Sequence, residues 1–259
     1  MQKFLLAGAA IAATLSFTLN PATATAPAGT AESLAAALTS IAASGSPALP
    51  VASAASASIE SIDRGFAHSH GDAPKVAPGQ ERADFNAWVA RSPANRDAVL
   101  AFHAHLAANG VEDVVPMWQL VRTSSSWRSC GAQPFEVAPR EKWDNIVRTL
   151  RFVERNVVPA VGPVQAVSGY RNAGLNSCSN GAPASAHRMF FALDLMPVDK
   201  GVTRAKLVRE VCTAHAREGR DFDTGLGFYS GVRFHVDSSG FRRWGPNGRG
   251  ATSPCVTYA

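Results

Sequence analysis

The stretch Ser185-Ala-His-Arg-Met-Phe-Phe-Ala-Leu-Asp194 holds an imidazole and a carboxylate seven residues apart, and Arg233-Phe-His-Val-Asp237 supplies a second imidazole downstream. His187, Asp194 and His235 are together a complete protein ligand set for a catalytic zinc ion, with the fourth position left to water or substrate. No other stretch offers a comparable set. A lone histidine such as His235 is more often a hydrogen-bonded core residue than a ligand. Asp194 does not fit that pattern, because a carboxylate within an apolar strand is costly unless it is paired or metal-bound. The two together, with His187 at the mouth of a long polar loop, point to metal. The other histidines do not. His68-Ser-His70-Gly-Asp72 lies in a polar linker with nothing to hold its rings. His103 and His105 are two apart on a predicted helix and face different ways.

The elements that must position these groups are legible in the pattern. Phe85, Trp88 and Val89 have helical spacing, and Pro93 opens a second helix over 94–108, closed by Asn109-Gly110. Residues 114–122 read as a short strand. The clearest helix is 139–158, where Trp143, Ile146, Val147, Leu150 and Val153 form an apolar stripe, ended by Pro159 and Gly162. A strand over 164–168 leads into Gly169-Tyr-Arg171, and a polar loop follows over 172–184. Residues 189–195 alternate as a strand, with Phe190, Ala192 and Asp194 on one face. A helix over 203–215 has Thr203 as its cap. Residues 225–229, 232–237 and 241–244 read as three strands of a meander, in which Arg233, His235 and Asp237 share a face. The expected class is α+β, with helices packed on a mostly antiparallel sheet that carries the His-Asp-His site.

Composition frames the setting. Lys3 and the apolar run 4–19 form a signal peptide, with Ala22-Thr-Ala24 as its cleavage site, so residues 1–24 are expected to be removed. Residues 25–80, rich in Ala, Ser and Pro, form a flexible tether, and 81–259 form the folded domain. The apolar run is too short for a spanning helix, so no stable membrane insertion is expected after processing. Cys130, Cys178, Cys212 and Cys255 are an even set in an exported chain, which predicts two disulfides in one of three pairings. The tail 245–259 is held, if at all, by Cys255. The formal net charge of +5 suits an anionic polymer. Nucleic acid is not the expected partner, because the basic residues are dispersed and not interleaved with aromatics.

As a set, Ser185-x-His187-x-x-x-x-Ala192-x-Asp194, Phe234-His-Val-Asp237 and Arg242-Arg-Trp244 resemble the zinc D-Ala-D-Ala metallopeptidases of bacterial cell walls. That family includes D-alanyl-D-alanine carboxypeptidases, vancomycin-resistance dipeptidases and some phage endolysins, and shares its zinc fold with the hedgehog signalling domain. Ser168-Gly-Tyr-Arg171-Asn fits the pattern too, and the resemblance covers roughly 164–244. It implies that His187, Asp194 and His235 bind Zn2+. It implies that Arg171 meets the developing oxyanion or a substrate carboxylate, and that Ser185 hydrogen-bonds near the substrate. The implied activity is zinc-dependent hydrolysis of peptidoglycan stem peptides, as a D,D-carboxypeptidase or endopeptidase in a periplasm or extracellular envelope. There are two departures. Phe190 stands where the family usually has Gly, and Val232 stands where many members carry a Glu as general base. Asp237 is the expected substitute base, or else a group that orients His235; Asp221 and Asp223 are further candidates. Two competing readings are a wall- or peptide-binding module that keeps the zinc scaffold without the base, and an exported structural protein.

Overall fold

Five short strands form one mixed sheet in the order β1-β2-β4-β3-β5: β1 Val164–Ser168, β2 Ala192–Pro197, β3 Gly225–Phe228, β4 Phe234–Asp237 and β5 Arg242–Trp244. The computed structural model describes residues 59–62 and 76–258. The signal sequence, most of the tether and His68-Ser-His70-Gly-Asp72 lie outside the described residues. The α+β class is as expected. Three strand pairings are antiparallel and one, β3 with β5, is parallel.

The helices are α1 Ile59–Ile62, α2 Arg82–Ala90, α3 Pro93–Ala108, α4 Met117–Leu120, α5 Trp143–Phe152, α6 Val158–Val161, α7 Ala173–Cys178 and α8 Arg204–Glu218. Their starts follow capping chemistry. Ser92 Oγ accepts from Asn95 N ahead of α3, with Pro93 in the first turn, and Thr203 accepts from Lys206 N ahead of α8. The apolar stripe of α5 is buried through Trp143, Ile146, Val147 and Leu150. The helical path continues past Pro159 to Val161, because the intervening turn Val153–Val157 is a π-helix. That wider turn accommodates a proline ring that would clash with a regular ladder. Gly162, at φ +80°, then ends it.

Four expectations are corrected. The strand expected over 114–122 is the turn α4, opened by Pro116, with only an isolated bridge from Arg122 to Phe135. All four α4 residues are buried, so their apolar run carries no period to tell strand from helix. The loop over 172–184 contains α7, whose cap is Asn172 accepting from Leu175 N. β2 begins at Ala192 rather than 189, because Ala186–Met189 form a 3-10 helix closed by Phe190 in the left-handed region at φ +59°. The last three strands are no meander. Gly240 N bonds to Asp223 O and Arg242 N to Thr224 O, which carries the chain past β4 and lays β5 parallel beside β3.

The sheet has two unlike faces. Leu193, Leu195, Leu226, Phe228, Phe234 and Val236 are fully buried in the core cluster, into which α5 also packs. Asp194, His235 and Asp237 belong to the other face. Disulfides join Cys130 to Cys178 and Cys212 to Cys255, which fits an oxidising compartment. Ordered structure begins before residue 81. Ile62 is buried in the core, and Gln80 is buried with its side-chain amide donating to Pro134 O. Among the described residues no helix is long and apolar enough to cross a membrane.

Candidate metal centre

β2 and β4 are neighbours in the sheet, and their register sets Asp194 directly opposite His235. Their facing side chains are therefore brought together by backbone hydrogen bonding. His187 comes from the 3-10 turn just before β2. Two contacts fix it: Arg171 N donates to His187 O at 3.2 Å, and His187 Nδ1 donates to Gly169 O at 2.7 Å. One ligand atom from each of the three residues lies within 4.8 Å of the other two, and all three residues are buried. The sequence-predicted donors do converge.

The hydrogen bonds fix which atoms face inward. A carbonyl only accepts, so the Gly169 contact puts the His187 proton on Nδ1 and leaves Nε2 with its lone pair, which accepts from Arg171 Nη2 at 3.2 Å and lies 3.3 Å from Asp194 Oδ1. Burial, with Arg171 beside it, pushes this imidazole down to about 4, so it is neutral near pH 7. His235 Nε2 donates to Asp237 Oδ2 at 2.9 Å, which leaves Nδ1 facing Asp194 Oδ1 at 3.1 Å. Burial alone would lower the His235 pKa, but hydrogen bonds to Asp194 and Asp237 outweigh it and raise it. His187 Nε2 and Asp194 Oδ1 face each other as electron-pair donors, and His235 Nδ1, which carries a proton while it bonds to Asp194 Oδ1, would join them as the third donor on giving up that proton to a bound cation. Two imidazoles and a carboxylate so arranged fit a zinc ion, each His being oriented through its other nitrogen.

Asp194 is held on its far side as well. Its Oδ2 accepts from Arg171 Nη2 and from Arg233 Nη2, both at 2.7 Å, and Oδ1 accepts from Tyr229 OH at 2.9 Å. Burial would raise this carboxyl, but His187, His235 and Arg171 hold it well below the usual carboxylate range. Tyr229 is raised, first by burial and then by Asp194, so its hydroxyl stays a donor.

Asp237 stands behind His235. Its Oδ2 takes His235 Nε2 and Arg242 Nη2, and its Oδ1 takes Ser239 N, Ser239 Oγ and Arg242 Nη1. Burial would raise its pKa, but the bonds to His235, Ser239 and Arg242 lower it further than burial raises it. Both oxygens of this carboxylate are thus engaged, Oδ2 by the imidazole of His235 and by Arg242 and Oδ1 by Ser239 and Arg242.

A cleft of about 540 Å³ opens over His187 and His235. Arg171 and Ser185 line it, along with Asn180, Tyr229, Trp244 and Asn247. Among the described residues no Asp or Glu lines it. Asp223 is instead paired with Arg148, and Val232 is half-buried against the core. Phe190 packs behind the site: its ring is buried 5.6 Å from Phe102 and 6.1 Å from Tyr170, between centroids. No family model, curated protein or solved structure matches this chain.

Two residues of the site are missing from the set that the sequence pattern picks out. Tyr229 closes a predicted strand, yet its hydroxyl reaches Asp194 across β4. Arg233 shares the His235 face in the strand pattern, but its partner is Asp194, 39 residues upstream. The available clue is Asp194 itself, since a carboxylate in an apolar strand needs polar partners on both oxygens.

Proposed function

We propose that this domain is a zinc metallopeptidase of the D-Ala-D-Ala type, acting on peptidoglycan stem peptides. The observation that carries the reading is the convergence of His187, His235 and Asp194, with the two histidines lining a cleft in which, among the described residues, no Asp or Glu appears. His187, Asp194 and His235 would hold the ion. Bound zinc supplies a Lewis acid that polarises a carbonyl and lowers the pKa of a bound water. The chain's own groups supply binding and orientation. Arg171 lines the cleft with its Nε on Ser168 Oγ and its Nη2 on Asp194, which holds the guanidinium rigidly as a donor for a substrate carboxylate or an oxyanion. Tyr229 keeps its proton and presents a neutral hydroxyl to the same space. Ser185, Asn180 and Asn247 add uncharged polar contacts suited to peptide groups. Asp237 keeps the His235 proton on Nε2, so that Nδ1 faces the other donors. The two disulfides and the signal-like N-terminus support work outside the cytoplasm, where peptidoglycan lies.

One observation favours a second reading. With both oxygens of Asp237 bonded and, among the described residues, no carboxylate in the lining, the cleft shows no evident proton acceptor. That is the expected signature of a wall- or peptide-binding module that retains the zinc scaffold. Two measurements separate the readings: metal content of the purified chain, and mass analysis of a whole-peptidoglycan digest with His235→Ala as control. Release of D-Ala or shortened stem peptides, lost in His235→Ala, supports the peptidase. Full zinc occupancy with every fragment left intact supports the binding module. A chain that takes up no zinc overturns both.

A further inference from the structure

Strand β3 reads Gly225-Leu-Gly-Phe228, and its two glycines lie on the face that carries the metal donors. Direct pairing draws two rows across the sheet. One runs Asp194, His235, Gly227, Trp244 over β2, β4, β3 and β5. The next runs Ala192, Asp237, Gly225, Arg242 over the same strands. In each row the β4 and β5 side chains meet although β3 lies between them. The Trp244 and His235 rings are 5.3 Å apart between centroids. Arg242 reaches Asp237 through Nη1 to Oδ1 at 2.9 Å and Nη2 to Oδ2 at 2.7 Å. Strands separated by one intervening strand are roughly 9–10 Å apart, so these contacts require a bare strand between. A Cβ on Gly227 would fall well within 3.0 Å of the Trp244 indole. A Cβ on Gly225 would do the same to Asp237 Oδ2 and the Arg242 guanidinium.

We infer that Gly225 and Gly227 are positioning residues of the metal centre. Their missing side chains let β5 reach over β3, so that Trp244 backs the His235 ring and Arg242 pins the carboxylate that orients it. The contacts stand by themselves; their consequence for metal rests on His235 being a ligand, as proposed above. The two glycines have negative φ, so it is the space above them that excludes a side chain and not their backbone conformation.

The test measures zinc affinity of the full chain by competition with a chromophoric chelator, in Gly227→Ala, Trp244→Ala and the double variant. Gly227→Ala is expected to weaken zinc binding by about 10–100-fold, the usual effect of disturbing the groups behind a ligand. The double variant is expected to bind no more weakly than Trp244→Ala, because the indole that clashed is gone. Wild-type affinity in Gly227→Ala, or additive losses in the double variant, would overturn the inference. Should Gly227→Ala not fold, recovery of folding in the double variant supports the clash, and failure to recover refutes it. If the wild-type chain takes up no zinc, the metal reading is what fails. The inference is then decided in the metal-free chain by the NMR signal of the His235 Nε2 proton. A change in Gly225→Ala supports it, and an unaltered signal sinks it.

Discussion

Asp194 and His235 stand opposite each other in a hydrogen-bonded strand pair, whereas the cleft beside His235 is walled, apart from Arg242 and Trp244 of β5, largely by segments that belong to no strand. The floor inherits its spacing from the β-ladder, whose repeat leaves little freedom to directly paired residues. The walls, around 179–185 and 246–248, have no such ladder. Each lies near a disulfide instead. Cys178 ends α7 just before the first wall and bonds to Cys130, and Cys255 follows the second and bonds to Cys212 on α8. His187 joins the two regions, since it follows the first wall in sequence and is held by the Gly169 carbonyl at the end of β1. The difference teaches that the candidate metal donors and the cleft walls are secured by separate means. They should therefore fail separately.

The largest expected effect comes from breaking the floor. His187→Ala and His235→Ala each remove one of three protein donors, and each is expected to abolish stoichiometric zinc in the purified chain, measured by metal analysis. Retention of zinc in either variant would end the assignment. Next is the support beneath the floor. Phe190→Ala is expected to cost about 3–5 kcal/mol in denaturant unfolding, the usual loss for a buried ring. Phe190→Gly loses the same ring but relieves the left-handed backbone at φ +59°, so it should be the more stable of the two by about 1 kcal/mol. Equal stability would show that the left-handed turn carries no strain.

Opening a wall is a smaller change. The double variant Cys130→Ser, Cys178→Ser is expected to lose about 2–4 kcal/mol of stability. Its zinc content should stay at the wild-type level, because no donor is attached to that bridge. If the peptidase reading holds, KM rises more than kcat falls. Loss of zinc along with the bridge would erase the distinction between floor and wall.

The smallest effect is a pH dependence outside the metal centre. His215 is buried on α8, with Nε2 donating to Thr224 O at 2.8 Å and its ring stacked on Phe241. Arg243 and Arg220 lie near it, as does Asp237. Burial lowers its pKa by more than the Thr224 bond raises it, so the net shift is downward. The unfolded chain therefore takes up a proton from about pH 6.5 downward before the folded chain does. This group's contribution is fully present above about pH 6.5 and declines as pH falls from there toward the lower folded value. Comparing the wild type with His215→Gln in urea unfolding at about pH 7 and about pH 5 isolates it. The variant should lose less stability on acidification, and an identical loss would assign the acid sensitivity to other groups.

Some of this molecule was legible in its residues because local chemistry decided it. Ser92 and Thr203 cap their helices, and the apolar stripe from Trp143 to Val153 buries itself. Alternation put His235 and Asp237 on one strand face. The donor set was legible for a related reason, since a carboxylate in an apolar strand must be paired or metal-bound to be tolerated there. Where local signals were ambiguous, the expectation failed. The apolar run at 114–122 has no period where α4 is buried on every side, and the polar run at 172–184 concealed a helix capped by Asn172.

The sequence by itself determined which side chains were available to bind a metal, and that four cysteines would form two bridges. Only the tertiary structure decided which donor atoms converge, which cysteines pair, and that Asp237 is spent on His235. It also decided that β5 lies parallel beside β3, reaching the donors over two glycines. The physical reason is the range of the interactions. Capping and alternation act within a few residues. Strand order, hydrogen-bond partners and the space above a glycine are set by segments tens of residues apart.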